Sequence, residues 1–461
     1  MFKFNMNDKI DKKIHFIGIG GVSMSGIAKI LLSNGFKISG SDSRKTDLTN
    51  MLENSGAKIF VGQKKENIDP NTDIFVYTDA ISKDNEELIA AFETGKPTVS
   101  RGVFLGALMR NYLHSIAVSG SHGKSTTTSM ISKILVNSSV NPSILLGGKL
   151  DDINGNVLCG GREYLLTEAC EFKANILHFY PSIAIVLNID EDHLDFYKNL
   201  DHIVDTFIGY MKNLDENSKA IINADDPNCL PLIDHIKGDI ITFGMNNEKV
   251  DYKIENIVFD KIGRPTFDIK SKKLNERFKL NIIGKYNIYN ATAAIIAAFE
   301  TGIDIDIIKK QIGLYKNLHR RMEIIGEKNG ATIMTDYAHH PVEIKAVLGA
   351  LAEHKSKRVI AIFQPHTYSR TKSLLEKFSN AFYDADIAIV TEIYPSREKF
   401  DPTIHSKDLV NLLIKNGVDA KYMKTFDEIK EYIIKEAQKG DIVITVGAGD
   451  NDVLAKMIAE A

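Results

Sequence analysis

Short apolar runs alternate with longer amphipathic segments along most of the chain, and this alternation constrains the fold more than any other feature. The runs "KIHFIGIGG", "HSIAVSG" and "RVIAIFQPH" predict buried strands that end in glycine or polar residues. Strands that alternate with helices form parallel, doubly wound sheets, which bind ligands at the carboxyl ends of their strands. Residues 240–285 break the rhythm with shorter alternating runs, which predict an antiparallel patch.

The rhythm restarts near residues 114 and 317, so the 461-residue chain is predicted to contain three α/β domains. We place an N-terminal Rossmann-like domain at residues 1–113 and a C-terminal Rossmann-like domain at residues 318–461. The central domain, residues 114–317, is predicted to resemble a P-loop ATPase with a mostly parallel sheet.

The composition argues against several classes of protein. A net charge of −3 disfavours nucleic acid and anionic membranes as partners. No stretch reaches about 18 apolar residues, so the sequence predicts neither a membrane span nor a signal peptide. The three cysteines form no CxxC pair, which fits a reducing compartment. We therefore expect a cytoplasmic protein that is a monomer or a homodimer.

The glycine-rich turn "GIGGVSMSG", residues 18–26, follows the first predicted strand and opens a helix. A dinucleotide-binding G-x-G-x-x-G pattern would need glycine where Ser23 stands, so the spacing favours another diphosphate ligand, such as a nucleotide sugar, over NAD. Asp42, which ends the second strand, is a candidate partner for a ribose hydroxyl or a base edge. A glycine turn without a ligand is the alternative. The candidate diphosphate-binding residues are Gly18, Gly20, Gly21, Ser23, Met24 and Ser25.

The stretch "VSGSHGKSTTTSM", residues 118–130, is similar to a phosphate-binding loop that lacks its first glycine. Val118 stands where the pattern G-x-x-x-x-G-K-[ST] requires that glycine. A strand, a glycine turn and a helix nevertheless follow one another, and the amides from Gly120 to Ser125 form a predicted anion nest at the helix N-terminus. Lys124 would neutralise phosphate oxygens, and the Ser125 hydroxyl would bind Mg²⁺.

Two further candidates end neighbouring predicted strands. Glu168 closes "EYLLTEAC" where phosphate-loop proteins place a Mg²⁺-binding carboxylate, and His193 closes "SIAIVLNIDEDH" 25 residues later. Mg²⁺ prefers oxygen, so histidine is an uncommon ligand for it. The acidic residues around His193 favour a metal or phosphate site, and an ordinary hydrogen-bonded histidine is the alternative.

Six motifs occur in order along nearly the whole chain, namely "GSHGKSTTT", "TEAC", "NIDEDHLDFY", "GKYNIYNATAAI", "HRRME" and "DYAHHP". Together they resemble the Mur ligases, the ATP-dependent amide-bond-forming enzymes of bacterial cell-wall synthesis, whose phosphate loop is short. The segments "HFIGIGGVSMSGIA" and "FQPHTYSRT" are most similar to members that join L-alanine to the lactyl carboxylate of UDP-N-acetylmuramate. The resemblance implies ATP, Mg²⁺, UDP-N-acetylmuramate and L-alanine as ligands, and an acyl-phosphate intermediate.

The resemblance also implies a role for each matched residue. The glycine turn would hold the UDP diphosphate, Arg370 would face the incoming amino acid, and the C-terminal domain would close over ATP. The residues implied to bind ATP are Gly120, Ser121, His122, Gly123, Lys124, Ser125, Thr126, Asn290, Arg321 and Asp336. Those implied to bind Mg²⁺ are Ser125, Glu168 and His193. Those implied to act in catalysis are Lys124, His193, Arg321 and His339.

Some residues depart from the family pattern, and some alternatives stay open. Many members read E-A-D-E-S-D where this chain has "EACEFK", so Cys170 and Lys173 replace acids, and we expect Cys170 to be a small buried residue. A recycling ligase that attaches a ready-made peptide, a dinucleotide-dependent oxidoreductase and a non-catalytic nucleotide sensor are the competing functions. His193 and His339 are both candidates for the base that deprotonates the amine.

Overall fold

The computed structural model describes residues 2–8, 11–194, 196–260, 263–352, 358–396 and 398–461. The chain forms two compact units. The first contains residues 1–190, 201–253 and 291–311, and the second contains residues 191–200, 254–290 and 312–461. Within the described ranges the strands form three sheets, one in each predicted domain, which confirms the three-domain α/β prediction. No helix among these residues is long and apolar enough to cross a membrane.

The N-terminal sheet lies in the first unit. Its strands are β1 (Lys13–Ile17), β2 (Lys37–Asp42), β3 (Lys58–Val61), β4 (Ile74–Tyr77) and β5 (Thr98–Ser100). Its helices are α1 (Val22–Ser33), α2 (Asp47–Asn54), α3 (Glu86–Glu93) and α4 (Arg101–Met109). The strands run parallel in the order β3-β2-β1-β4-β5. The order reverses at β1, so the glycine turn that follows β1 lies where such sheets bind ligands.

The central strands are β6 (His114–Ser119), β7 (Ser143–Leu150), β8 (Gly155–Leu158), β9 (Tyr164–Glu168), β10 (Ile183–Val186), β11 (Lys219–Asn223), β12 (Asp239–Gly244), β13 (Tyr252–Phe259), β14 (Pro265–Lys270) and β15 (Asn275–Lys279). The helices are α5 (Lys124–Val136), α6 (Leu200–Met211), α7 (Tyr286–Glu300) and α8 (Ile305–Gly313). In the first unit the order is β12-β11-β10-β6-β9-β7-β8, parallel except for the β7–β8 hairpin. In the second unit β14 and β15 pair antiparallel, which confirms that part of the predicted patch. In the first unit β12 pairs parallel with β11 and with the start of β13, so the prediction is wrong for residues 240–244, where the parallel sheet continues.

The C-terminal sheet lies in the second unit. Its strands are β16 (Glu323–Lys328), β17 (Ala331–Asp336), β18 (Val359–Phe363), β19 (Ile387–Val390), β20 (Ala420–Tyr422) and β21 (Ile442–Val446). Its helices are α9 (Pro341–Ala352), α10 (Tyr368–Ser373), α11 (Leu375–Ser379), α12 (Ser406–Lys415), α13 (Phe426–Glu436) and α14 (Asn451–Ala459). The order is β16-β17-β21-β18-β19-β20, parallel except for β16–β17. Helices α9 and α12 pack in one core cluster, and α13 and α14 in another.

One local element was missed, and one further local prediction is wrong. The β7–β8 hairpin was not predicted, because its residues lack the clear alternation that marks an antiparallel pair. The strand before His193 is also shorter than predicted, since β10 ends at Val186, seven residues before His193. The apolar run continues beyond the strand because Leu187 and Ile189 are buried as loop residues.

Candidate active site

The loop between β6 and α5 has the backbone shape of an anion-binding nest. Gly120 has a φ of +133° and Gly123 a φ of +83°, which side-chain-bearing residues rarely adopt. A Cβ on Gly120 would lie 3.1 Å from the Asn188 backbone. The His122 amide donates to the Asn188 side chain at 2.8 Å, so Asn188 fixes the loop from the segment after β10. Val118 is completely buried within β6 and belongs to the strand.

Two polar side chains of the same loop contact Asp190, in the segment that follows β10. The Ser121 hydroxyl accepts a hydrogen bond from the Asp190 amide at 2.8 Å, and His122 Nε2 lies 3.3 Å from the Asp190 carboxylate. Thr126, in the first turn of α5, is buried. These contacts hold the predicted phosphate loop against the segment that follows β10.

Lys124 begins α5 and turns its ammonium group back over the loop. Lys124 Nζ donates to the Gly120 carbonyl at 2.5 Å and to the Ser121 carbonyl at 3.2 Å. It also lies 3.1 Å from each carboxylate oxygen of Glu171. Glu171 was not predicted, although its position in "EACEFK", three residues after Glu168, was a signal that could have identified it.

Ser125 and Glu168, beside Lys124, form a pair of side chains whose oxygens can bind a metal ion. The Ser125 hydroxyl donates to Glu168 Oε2 at 2.9 Å, and the Gly147 amide donates to Glu168 Oε1 at 2.7 Å. Glu168 is half-buried at the carboxyl end of β9, and Ser125 is half-buried at the start of α5. A hydroxyl and a carboxylate fixed side by side are the hard ligands that Mg²⁺ prefers, so this part of the predicted metal set fits the ion.

The glycine turn after β1 needs glycine at two positions. Gly18 has a φ of +83°, and a Cβ there would lie 2.4 Å from Thr78 Cγ2. A Cβ on Gly20 would lie 2.8 Å from Asp42 Oδ2. That same Asp42 oxygen accepts a hydrogen bond from the Gly20 amide at 2.8 Å, so Asp42 shapes the turn in addition to the ligand-binding role predicted for it.

The predicted diphosphate-binding residues at the start of α1 differ in accessibility. Gly21 is exposed and Ser23 is half-buried, with its hydroxyl 3.4 Å from the Arg101 guanidinium. Met24 is buried. The Ser25 amide donates to the Gly21 carbonyl at 2.8 Å, so it already takes part in the helix and is not available to a ligand as predicted.

A buried polar network under this turn was also missed. Glu87 is fully buried and accepts hydrogen bonds from the Ser41 hydroxyl at 2.5 Å and the Asn67 side chain at 3.1 Å. It also lies 3.0 Å from His15 Nε2. The Ser41 carbonyl in turn accepts the Gly18 amide at 2.8 Å. The network therefore connects the interior of the N-terminal sheet to the glycine turn.

In the second unit, His193 lies beside a buried ion pair. Its φ is +54°, and its Nε2 is 3.7 Å from the Asp192 carboxylate. Arg370 donates to Asp192 Oδ1 at 3.1 Å and lies 3.3 Å from His366 Nδ1. Burial alone would raise the pKa of Asp192, but the charges of His193 and Arg370 hold that pKa below its ordinary value. Asp192 is therefore ionised, and its carboxylate orients the Arg370 guanidinium.

His339 is held neutral in the same unit. Its Nδ1 lies 3.0 Å from the Tyr337 carbonyl, and its amide donates to Glu343 at 3.0 Å. Burial lowers the pKa of His339 to about 4, against the raising effect of Glu343. The imidazole is therefore uncharged at neutral pH.

Both carboxylate oxygens of Asp336 accept hydrogen bonds from backbone amides. They accept the Met322 amide and the Ala338 amide, each at 2.7 Å. Burial raises the pKa of Asp336, and the nearby Arg321 charge opposes that rise. The Arg321 guanidinium lies 5.3 Å from the centre of the Tyr337 ring. Asp336 thus holds the segment that carries Arg321.

Asn290 occupies a buried position on α7. Its side-chain amide donates to Asn287 Oδ1 at 3.1 Å, one turn earlier on the same helix. The structure thus gathers Lys124, Ser125 and Glu168 in the first unit. In the second unit it gathers His193 and Arg370 around Asp192.

Three family models match the chain in order. Residues 13–113 match "Mur ligase family, catalytic domain", residues 118–298 match "Mur ligase middle domain", and residues 320–449 match "Mur ligase, glutamate ligase domain". A curated UDP-N-acetylmuramate–L-alanine ligase from Clostridium tetani is 46% identical over 443 residues, 96% of each chain. The chain belongs to the Mur ligase family.

Other relatives agree with this membership. A UDP-N-acetylmuramate–L-alanine ligase from Clostridium novyi is 44% identical over 459 residues, 99% of each chain. The solved UDP-N-acetylmuramate-alanine ligase from Thermotoga maritima aligns with a TM-score of 0.78 at 28% identity, covering 97% of this Mur ligase and 98% of that chain. A murein peptide ligase from Psychrobacter arcticus, with a TM-score of 0.71 and 23% identity over 97% and 98% of the two chains, shares the fold.

Membership of the Mur ligase family decides between the classes of function. The protein is an ATP-dependent ligase, so the oxidoreductase and the non-catalytic sensor are excluded. The loop begins at Gly120, which has a positive φ. Val118, which stands where the longer pattern has its first glycine, belongs to strand β6. Cys170 is half-buried and not fully buried as predicted. Desolvation raises the pKa of its thiol to about 11 and keeps it protonated at neutral pH.

Proposed function

We propose that this Mur ligase joins L-alanine to the lactyl carboxylate of UDP-N-acetylmuramate and converts ATP to ADP and phosphate. The observation that carries the proposal is the convergence of Lys124, Ser125 and Glu168 on one nest-shaped loop. The choice of substrates is supported by near-full-length identities of 46% and 44% with two curated L-alanine ligases. The similarity to a peptide ligase supports the fold alone.

The first step activates the substrate carboxylate. One carboxylate oxygen attacks the γ-phosphorus, the bond to the bridging oxygen breaks, and its electron pair leaves with ADP. Dense negative charge accumulates, so electrostatic neutralisation and positioning supply most of the rate. Lys124 would neutralise the transferred group. The Ser121 and His122 amides donate to Asn188, so the other amides of the loop from Gly120 to Ser125 would hold the remaining phosphates.

The second step forms the amide. The alanine nitrogen attacks the acyl carbon, the bond to the phosphate oxygen breaks, and phosphate leaves. The amine must first lose a proton. A pKa of about 4 makes His339 a poor proton acceptor at neutral pH. His193, as a metal ligand, would have its lone pair engaged, so we assign the base to neither histidine.

The remaining assignments are part of the proposal. Ser125 and Glu168 would hold Mg²⁺ with His193, and the ion would supply further charge neutralisation at the phosphates. Residues 1–113 would bind the UDP substrate, 114–317 ATP, and 318–461 the amino acid while closing over ATP. Within these domains Asn290 would contact the adenine, Arg321, Asp336 and His339 would act in ATP closure, and Arg370 would face L-alanine. We propose a cytoplasmic enzyme that is a monomer or a homodimer.

The test is phosphate release by purified protein with ATP, Mg²⁺, UDP-N-acetylmuramate and each member of an amino-acid panel. L-alanine should support release, and omission of the sugar nucleotide should stop it. The substitution Lys124→Ala should abolish release while the protein stays folded. A requirement for a tripeptide in place of L-alanine would show that the enzyme is a recycling ligase and refute the proposal.

A further inference from the structure

The ammonium group of Lys124 is paired within the protein. Both carboxylate oxygens of Glu171 lie 3.1 Å from Lys124 Nζ, and two carbonyls of the phosphate loop accept its remaining protons. An ammonium group has three N–H donors, and a lysine side chain loses rotamer entropy when it is fixed. Glu171 thus fixes the position of the Lys124 side chain.

Glu171 is itself rigidly placed. Its side chain is 2% exposed, and its carbonyl accepts the Ala174 amide at 2.8 Å. Lys173 and Ala174 have φ values of +52° and +55°, in the left-handed region. Non-glycine residues are strained in that region. A strained segment therefore keeps a carboxylate buried beside Lys124.

A buried carboxylate at this place has two opposing effects on ATP. Its negative charge repels the triphosphate, which weakens binding. Its oxygens orient Nζ, which favours the transfer step, where small errors of position cost rate. Weaker ground-state binding does not slow the chemical step, because only interactions that strengthen in the transition state accelerate it.

We propose that Glu171 is a positioning residue that orients Lys124 for phosphoryl transfer and weakens the binding of ATP. The inference rests on the proposed function for the place of Lys124 at the transferred phosphate and for the identity of the acceptor. It concerns a residue that acts through Lys124 and does not itself touch the reacting atoms.

Two variants separate the charge of Glu171 from its geometry. Glu171→Gln removes the charge and keeps the size and one acceptor oxygen, so ATP should bind about tenfold more tightly while kcat falls about tenfold. Glu171→Asp keeps the charge but withdraws the oxygens by one methylene, so ATP affinity should stay near wild type while kcat falls about tenfold. Calorimetry with ATP alone measures affinity, and phosphate release measures kcat.

The control is Glu163→Gln, an exposed glutamate immediately before β9, which should leave both quantities unchanged. Unchanged or weaker ATP binding by Glu171→Gln would overturn the proposal, as would wild-type kcat in both variants. A parallel loss of thermal stability and of UDP binding in both variants would also overturn it, because that result indicates a purely structural role. The ATP-binding result stands even if wild-type protein makes no product with L-alanine, which would refute only the proposed function.

Discussion

The Ser125 hydroxyl and the Glu168 carboxylate lie 2.9 Å apart although 43 positions separate them in the chain. The parallel pairing of β6 with β9 produces this contact, because it brings the phosphate loop and the end of β9 to the same edge of the sheet. The pair is the centre of the proposed ATP and metal site.

Loss of the Ser125 hydroxyl or of the Glu168 charge should therefore slow phosphoryl transfer strongly. We expect Ser125→Ala and Glu168→Gln each to lower kcat about 100-fold or more, since each removes an electrostatic contribution to the transition state. Ser125→Thr keeps the hydroxyl and should retain most activity. Phosphate-release kinetics over a range of Mg²⁺ concentrations measures the effect. Full activity of Glu168→Gln at saturating Mg²⁺ would show that the pair is not the metal site.

The glycine turn gives a prediction with a matched control. Gly18 and Gly56 both have positive φ, +83° and +100°, so alanine is strained at both positions by about 1–2 kcal/mol. Only at Gly18 would the new Cβ also meet a neighbour, 2.4 Å from Thr78, whereas nothing lies within 4 Å at Gly56. Gly18→Ala should therefore lower the thermal midpoint more than Gly56→Ala and should also abolish UDP binding. Equal effects of the two substitutions would remove the steric argument.

Local sequence signals predicted the elements of the site better than its contacts. The run before Gly120 and the hydroxyl-rich segment after Lys124 fix β6 and α5, because apolar runs and helix starts are properties of adjacent residues. Glu168 was found because it ends a recognisable strand. The roles of Lys124 and Ser125 followed from the same loop pattern.

The missed features depend on residues that are far apart in sequence. Asn188 holds the phosphate loop from 66 positions away, and Glu87 reaches His15 across 72. No local pattern marks such a partner, because burial and strand order decide which polar side chains meet. His193 shows the converse error, since its apolar neighbours were taken for strand residues although they pack in the core from a loop.

The neutral His339 should make stability depend on pH. Its folded pKa of about 4 lies below the ordinary value of 6.5, so the unfolded chain binds the proton first as pH falls. The stability of the second unit should therefore decline as pH falls from about 6.5 to about 4. The groups that affect this pKa include Glu343, Arg370 and Asp192.

Replacement of His339 should reduce that decline. We expect the difference in thermal midpoint between pH 7 and pH 5 to be smaller for His339→Gln than for wild type. His178→Gln, which replaces an exposed histidine of the first unit, should follow the wild-type curve. An unchanged pH dependence in His339→Gln would contradict the assignment of a lowered pKa to this residue.

Substitutions of the two adjacent arginines of "HRRME", Arg320 and Arg321, should have different effects on stability and activity. Arg320 Nη2 donates to the carbonyls of Gly447 and Gly449 at 3.0 and 2.7 Å and to Asn451 Oδ1 at 2.9 Å. Arg320 Nη1 also lies 3.4 Å from Asp452, and the guanidinium carbon lies 4.8 Å from the centre of the Tyr337 ring. The single ammonium nitrogen of lysine cannot make all of these contacts, so Arg320→Lys should lower the thermal midpoint by several degrees, on the order of 1–3 kcal/mol. Arg321, proposed to contact ATP, should behave differently: Arg321→Lys should raise KM for ATP and lower kcat with little change in thermal midpoint. Calorimetric unfolding and steady-state kinetics on the two variants give both readouts. Equal loss of stability in both variants would mean that Arg321, like Arg320, supports the fold, and would withdraw Arg321 from the ATP site.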